Sequence, residues 1–110
     1  MASGAHVTAG GVWTDASSRT YKENIADISA DKALEALSQL NPVTFNYKSE
    51  QDETYAGFIA EDVPEITAMN DRKGLSPMDI VAVLTKVVQE QQKMVQEQQA
   101  KIEALEAKLQ

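Results

Sequence analysis

The sequence predicts an α+β fold: a small body of one helix and one antiparallel strand pair, then a long C-terminal helix forming a parallel trimeric coiled coil. Three patterns predict it. From Val88 the chain repeats in sevens, VQEQQKM, VQEQQAK, IEALEAK. Further upstream, VTFNYK alternates apolar and polar residues, the spacing of a strand with one face inward. Between these signals and the N-terminus, DKALEALSQL places Leu34, Leu37 and Leu40 on one helical side, and Asn41-Pro42 stops it.

The long helix covers residues 76–110. Ser76 can cap it, Pro77 suits its first position and Asp79 completes an S-x-x-D box. No Gly or Pro follows. At ~1.5 Å per residue the rod is ~45–50 Å long. Heptad position a holds Val81, Val88, Val95, Ile102 and Leu109; position d holds Leu84, Gln91, Gln98 and Leu105. A 3.5-residue spacing held over several heptads drives left-handed supercoiling, because only that twist keeps the stripe facing its partners. These nine residues are the candidate interface.

The stripe is wider at its start, where Ile80, Val87 and Met94 make position g apolar as well. The upper helix therefore has a second contact, with the body or within a wider bundle. Lower down, g becomes Lys101 and Lys108, and Lys101 can face Glu106 of a neighbouring chain. Such rim pairs set register more than stability. Two glutamine layers at d are costly in a dimer, whereas a ring of three can exchange amide hydrogen bonds around water or an ion. β-branched residues at a with glutamine at d fit a trimer without proving it. A single helix folding back on its own domain would leave the last turns nothing to pack on.

The body spans residues 17–75, and residues 1–16, rich in Gly, Ala and Thr, read as the end of an upstream segment or linker. Val43, Phe45 and Tyr47 point inward from the first strand. Residues 49–53 (SEQDE) form the hairpin loop, residues 55–63 (YAGFIAEDV) a second strand turned at Pro64, and residues 70–74 (NDRKG) a loop. Phe45, Tyr47, Tyr55 and Phe58 are read as core, and Glu61 and Asp62 as solvent-facing. Trp13 packs on the body or belongs to a preceding domain. A body this small buries too little surface to stand comfortably alone.

Composition narrows the function classes. The chain has 110 residues, a net charge of −7, one histidine and no cysteine. An acidic chain repels phosphate backbones, which argues against general nucleic-acid binding. No apolar run approaches the ~18 residues of a membrane span, and the N-terminus lacks the regions of a signal peptide. Without cysteine there is no disulfide scaffold, thiol nucleophile or cysteine-ligated zinc. His6 reads as a solvent-exposed residue, and no metal or cofactor site is expected.

The stretch SSRTYKENI, residues 17–25, resembles the opening of the intramolecular chaperone auto-processing domain that closes phage tailspikes, tail fibres and endosialidases and also occurs in myelin regulatory factor. That opening reads roughly S-D-x-x-x-K-x-N-I; the position after the serine, usually Asp, is Ser18 here. The resemblance continues through the leucine-spaced helix, the VTFNYK strand, GFIAEDV at residues 57–63 and Gly74-Leu75 before the long helix.

It implies a homotrimer that assists folding of an upstream domain of the same polypeptide and then releases itself as a single-turnover serine endopeptidase. It implies a Ser17/Lys22 dyad. It also implies a place in a virion tail fibre or spike made in the host cytoplasm, or in a bacterial-surface or prophage protein. The alternative is a permanent trimerising tip that never cuts. An unrelated coiled-coil adaptor would have no reason for the SSRTYKENI and GFIAEDV elements.

For such a dyad, lysine must be neutral to take the serine proton, so burial or a nearby cation has to lower its pKa from the usual ~10.4. A trimer interface could supply that desolvation. Glu23, if close, would oppose it; Asn24 could hydrogen-bond the amine or a developing oxyanion. The cut lies beside Ser17, among Ala16, Ser17 and Ser18. Attack of Ser17 on the carbonyl before it, through an N-to-O shift, is easier than attack on its own carbonyl, so Ala16–Ser17 is favoured over Ser17–Ser18.

Overall fold

A computed structural model describes residues 4–110. The chain opens with a short hairpin, β1 (His6–Val7) against β2 (Trp13–Thr14). The Gly11 N–H bonds to the Thr8 carbonyl at 2.9 Å, and Gly11 takes φ +86°, a left-handed conformation that suits a residue without Cβ. The stretch expected to be linker thus carries a pair of strands; its residues 1–3 lie outside the described region. Trp13 is 54% exposed, and its indole donates to Asp15 Oδ1 at 2.6 Å.

Helix α1 (Ala30–Gln39) starts at Ser29, whose Oγ accepts the Lys32 N–H at 3.2 Å. It ends where the Leu40 N–H reaches the Ala36 and Leu37 carbonyls, ahead of Asn41-Pro42. Its buried residues are Ala33 and Ala36, while Leu34 and Leu37 pack at the margin. The expected leucine face is displaced because small side chains at the centre let α1 approach another helix closely.

Strand β3 (Val43–Tyr47) pairs antiparallel with β4 (Glu50–Gly57). Val43 faces Gly57 and Phe45 faces Tyr55, but Tyr47 faces Glu50, so residues 51–54 bulge opposite residue 46. The polar stretch expected to be the loop is therefore mostly strand, and the turn is only Lys48 and Ser49. A hairpin exposed on both faces needs no apolar alternation, which is why its strand hid among polar residues. A Cβ on Gly57 would sit 3.1 Å from Phe45 Cε1, so glycine lets the ring lie across the backbone. Phe45 is half-buried, but Tyr47 and Tyr55 are exposed and so are not core.

The expected second strand ends at Gly57. Two 3-10 turns follow, Ala60–Asp62 and Glu65–Thr67, with Glu61 and Asp62 exposed on the first. Thr67 is fully buried, its hydroxyl donating to the Pro64 carbonyl at 3.0 Å. Arg72 closes the next loop by donating to the Val63 carbonyl at 2.8 Å.

Helix α2 (Pro77–Lys108) runs to the end of the fold. Pro77 takes its first position as expected, but Ser76 makes no side-chain cap. The Asp79 N–H, which a capping hydroxyl would take, bonds to the Ser76 carbonyl at 3.1 Å instead. The core is the seam between the helices: Ala33 and Ala36 against Val83 and Val87, with Ile28, Leu34 and Leu37 at its edge. Ile80 and Val63 are buried as well.

Candidate functional site

Between the N-terminal hairpin and α1 the backbone makes one 3-10 turn, Arg19–Tyr21. Ser18 is its N-cap. The Ser18 Oγ accepts the Thr20 N–H at 3.2 Å and lies 2.9 Å from Thr20 Oγ1. Two backbone bonds close the turn: Tyr21 N–H to the Ser18 carbonyl at 3.0 Å, and Lys22 N–H to the Arg19 carbonyl at 3.1 Å. The chain then becomes extended at Lys22 and turns left-handed at Asn24, φ +53°. Asparagine is among the few side chains that accept that conformation readily.

This turn brings the two expected partners together. Lys22 Nζ donates to Ser17 Oγ at 2.7 Å. For base catalysis a neutral amine accepts the serine proton, so the same contact runs in reverse. Ser17 and Lys22 are both exposed, and Ala16 is half-buried. Glu23 makes no ion pair with Lys22 among the described residues; neighbouring side chains on extended backbone point to opposite sides. Asn24 contributes a backbone turn. No bond from its side chain to Ser17 or Lys22 occurs among the described residues.

The departure at Ser18 is physically conservative. Aspartate and serine are both strong N-caps, and Ser18 performs that role here. The capping contact between Ser18 and Thr20 was not anticipated from the sequence, although two hydroxyl residues around a turn signal one.

The second candidate surface lies along α2. Val81, Leu84, Val88, Gln91, Val95, Gln98, Ile102, Leu105 and Leu109 are all exposed. The body packs on a different face, covering Ile80 and Val87 at position g and Val83 at position c. The extra apolar width at g is thus explained by the body, whereas Val83 was missed because c is normally a solvated position. Met94, the third apolar g residue, lies below the body and is exposed.

Among the described residues, no cluster of three or more His, Asp or Glu could hold a metal ion, and no helix is long and apolar enough to cross a membrane. His6 is exposed, with Nδ1 2.8 Å from the Gly4 carbonyl. The family model described as chaperone of endosialidase matches residues 17–72, which takes in the Ser17–Lys22 turn, α1 and the β3–β4 hairpin. No curated protein and no solved structure matches the chain.

Proposed function

Because the chain belongs to the chaperone of endosialidase family, we propose that it is a C-terminal chaperone that trimerises through α2, assists folding of an upstream domain of the same polypeptide and then cuts itself free at Ser17. The observation that carries this reading is the division of faces on α2. The body occupies positions g and c and leaves the a/d stripe clear along the whole rod. Burying a valine or leucine contributes roughly 1.5–3 kcal/mol, so each closed a layer is multiplied by the number of chains. β-branched residues at a with glutamines at d fit three strands, and the family resemblance is what selects that number.

The cut follows from the Ser17–Lys22 contact. Ser17 Oγ attacks the Ala16 carbonyl carbon while neutral Lys22 takes its proton. The Ala16–Ser17 C–N bond breaks as the Ser17 nitrogen accepts a proton, leaving an ester. Water then opens the ester to the Ala16 carboxylate and the free Ser17 hydroxyl. In the single chain both groups are open to water. A neighbour seated over exposed Tyr21 and Ile25, which flank Lys22, would strip that water. Cleavage then waits for assembly, and loss of the trimeriser afterwards makes the upstream domain kinetically stable. The natural setting is the tail fibre or spike of a virion.

The same exposure favours a second reading, a trimerising tip that keeps its place and never cuts. Intact mass and N-terminal sequencing after incubation at neutral and raised pH separate the two. A lysine base gives faster cutting as pH rises, and Ser17→Ala and Lys22→Ala stay whole yet trimeric. A new N-terminus at Ser17 identifies the Ala16–Ser17 bond, one at Ser18 the bond after it. A wild-type chain that remains whole under every condition decides for the permanent tip.

A further inference from the structure

We infer that Ser18 and Thr20 are positioning residues that hold Lys22 against Ser17; this rests on the self-cleavage reading but is measured separately from it. Lys22 lies five residues beyond Ser17, and its amine must be folded back to touch the hydroxyl. One short 3-10 turn does this, and such a turn is marginal in isolation because few hydrogen bonds offset the fixed backbone angles. Residues 17–25 are exposed throughout, so no buried side chain of the segment holds the turn from inside the body.

What remains is local. Two backbone bonds close the turn, at 3.0 and 3.1 Å. The Ser18 hydroxyl adds two contacts, accepting the Thr20 N–H at 3.2 Å and meeting the Thr20 hydroxyl at 2.9 Å. The Thr20 N–H is one of the orphan donors at the turn's start, and Ser18 satisfies it while the Ser18 carbonyl receives Tyr21. The two hydroxyls therefore set how often the turn is formed, and the formed turn is the state in which Lys22 Nζ sits 2.7 Å from Ser17 Oγ. Among the described residues neither side chain bonds to Ser17 Oγ or Lys22 Nζ; both act through the backbone that carries Lys22.

Aspartate at position 18 keeps an oxygen for the Thr20 N–H, whereas alanine has none. Valine at position 20 keeps the shape and loses the hydroxyl, and serine keeps the hydroxyl. Cleavage rates of the full chain should fall about fivefold in Ser18→Ala and about twofold in Thr20→Val, with Ser18→Asp and Thr20→Ser close to wild type. The pH of half-maximal rate should not move in any of the four, since Lys22 remains the base. Assembly mass and melting temperature serve as controls for folding.

The paired geometry has its own readout. Nuclear Overhauser contacts between the Lys22 Hε and Ser17 Hβ protons, recorded at slightly acidic pH where a lysine base is idle, should be present in wild type and Ser18→Asp. They should weaken in Ser18→Ala. If wild type shows the contact yet never cuts, the self-cleavage reading fails and the contact series alone decides this inference. Absence of the contact in wild type overturns it. So does a Ser18→Ala chain that keeps contact and rate, a Ser18→Asp chain that behaves like Ser18→Ala, or a shifted pH midpoint.

Discussion

Val87 and Val88 are neighbours on one helix and have opposite surroundings. Val87 is 3% exposed, packed with Val83 against Ala33 and Ala36, whereas Val88 is 62% exposed. The same contrast holds between the upper and lower parts of α2. Above Gln91 one side of the helix is covered; from Gln91 to the end every residue is exposed. The sequence changes close to the same point, since g is Ile80 and Val87 above, then Met94, Lys101 and Lys108 below, while the apolar a positions continue unaltered. One helix thus carries two separate faces. The g/c face is covered within the chain, and the a/d face is open.

That contrast can be broken from either side. Placing a charge on the open face should do the most damage. Leu84→Asp or Val88→Asp puts one unpaired carboxylate per chain in a closed layer, at several kcal/mol each. Light scattering should then report monomers, and circular dichroism a body unfolded with the rod. A folded monomer with native-like dichroism would show that the g/c seam needs no assembly.

Cutting into the covered face should be milder and of a different kind. Val83→Ala removes two methyl groups from the best-packed position, 1% exposed, and should cost about 2 kcal/mol. The melting temperature should fall while the scattering mass stays that of the wild type. A change of mass would mean that the two faces are coupled. Replacing Gln91 and Gln98 with Leu sharpens the open-face account, because apolar d layers should raise the melting temperature at some loss of register control. A fall would mean that the glutamines bind something specific, such as an ion.

The smallest effect lies in the β3–β4 hairpin. Tyr55 donates its phenol proton to Glu50 at 2.6 Å, and this bond, ahead of partial burial and the nearby Tyr47, raises the phenol pKa above the usual tyrosine range. The folded state holds this proton more tightly. Its contribution is therefore present below the ordinary tyrosine pKa and is lost as pH rises through the raised value. In a spectrophotometric titration the highest-pH tyrosine component should move down in Glu50→Gln and vanish in Tyr55→Phe. An unchanged profile in both would remove the Glu50 bond as its cause.

Legibility in the sequence followed how far each signal was repeated. The heptads state the a/d face nine times, and all nine residues lie exposed along the rod as an unpartnered stripe. The Ser17–Lys22 approach was legible only through the resemblance, since a serine five residues from a lysine carries no weight alone. Its cause, the turn capped by Ser18, rests on single hydroxyls without periodicity. Ala33 and Ala36 were passed over for the leucines because a close helix crossing is a tertiary demand that apolar spacing does not express. The strand Glu50–Gly57 was missed for the opposite reason, as a hairpin wet on both sides leaves no alternation to read. The Ser76 cap failed on one competing bond, the Asp79 N–H turning to the Ser76 carbonyl.

The division of α2 into a self-satisfied face and an open one is tested most directly by the mass of the uncut chain in solution. Sedimentation equilibrium of Ser17→Ala at micromolar concentration avoids any mixture of whole and cut species. The account predicts a single species of three times the 12.0 kDa chain mass. A species at 12.0 kDa, with α2 helical and the body folded, would contradict it.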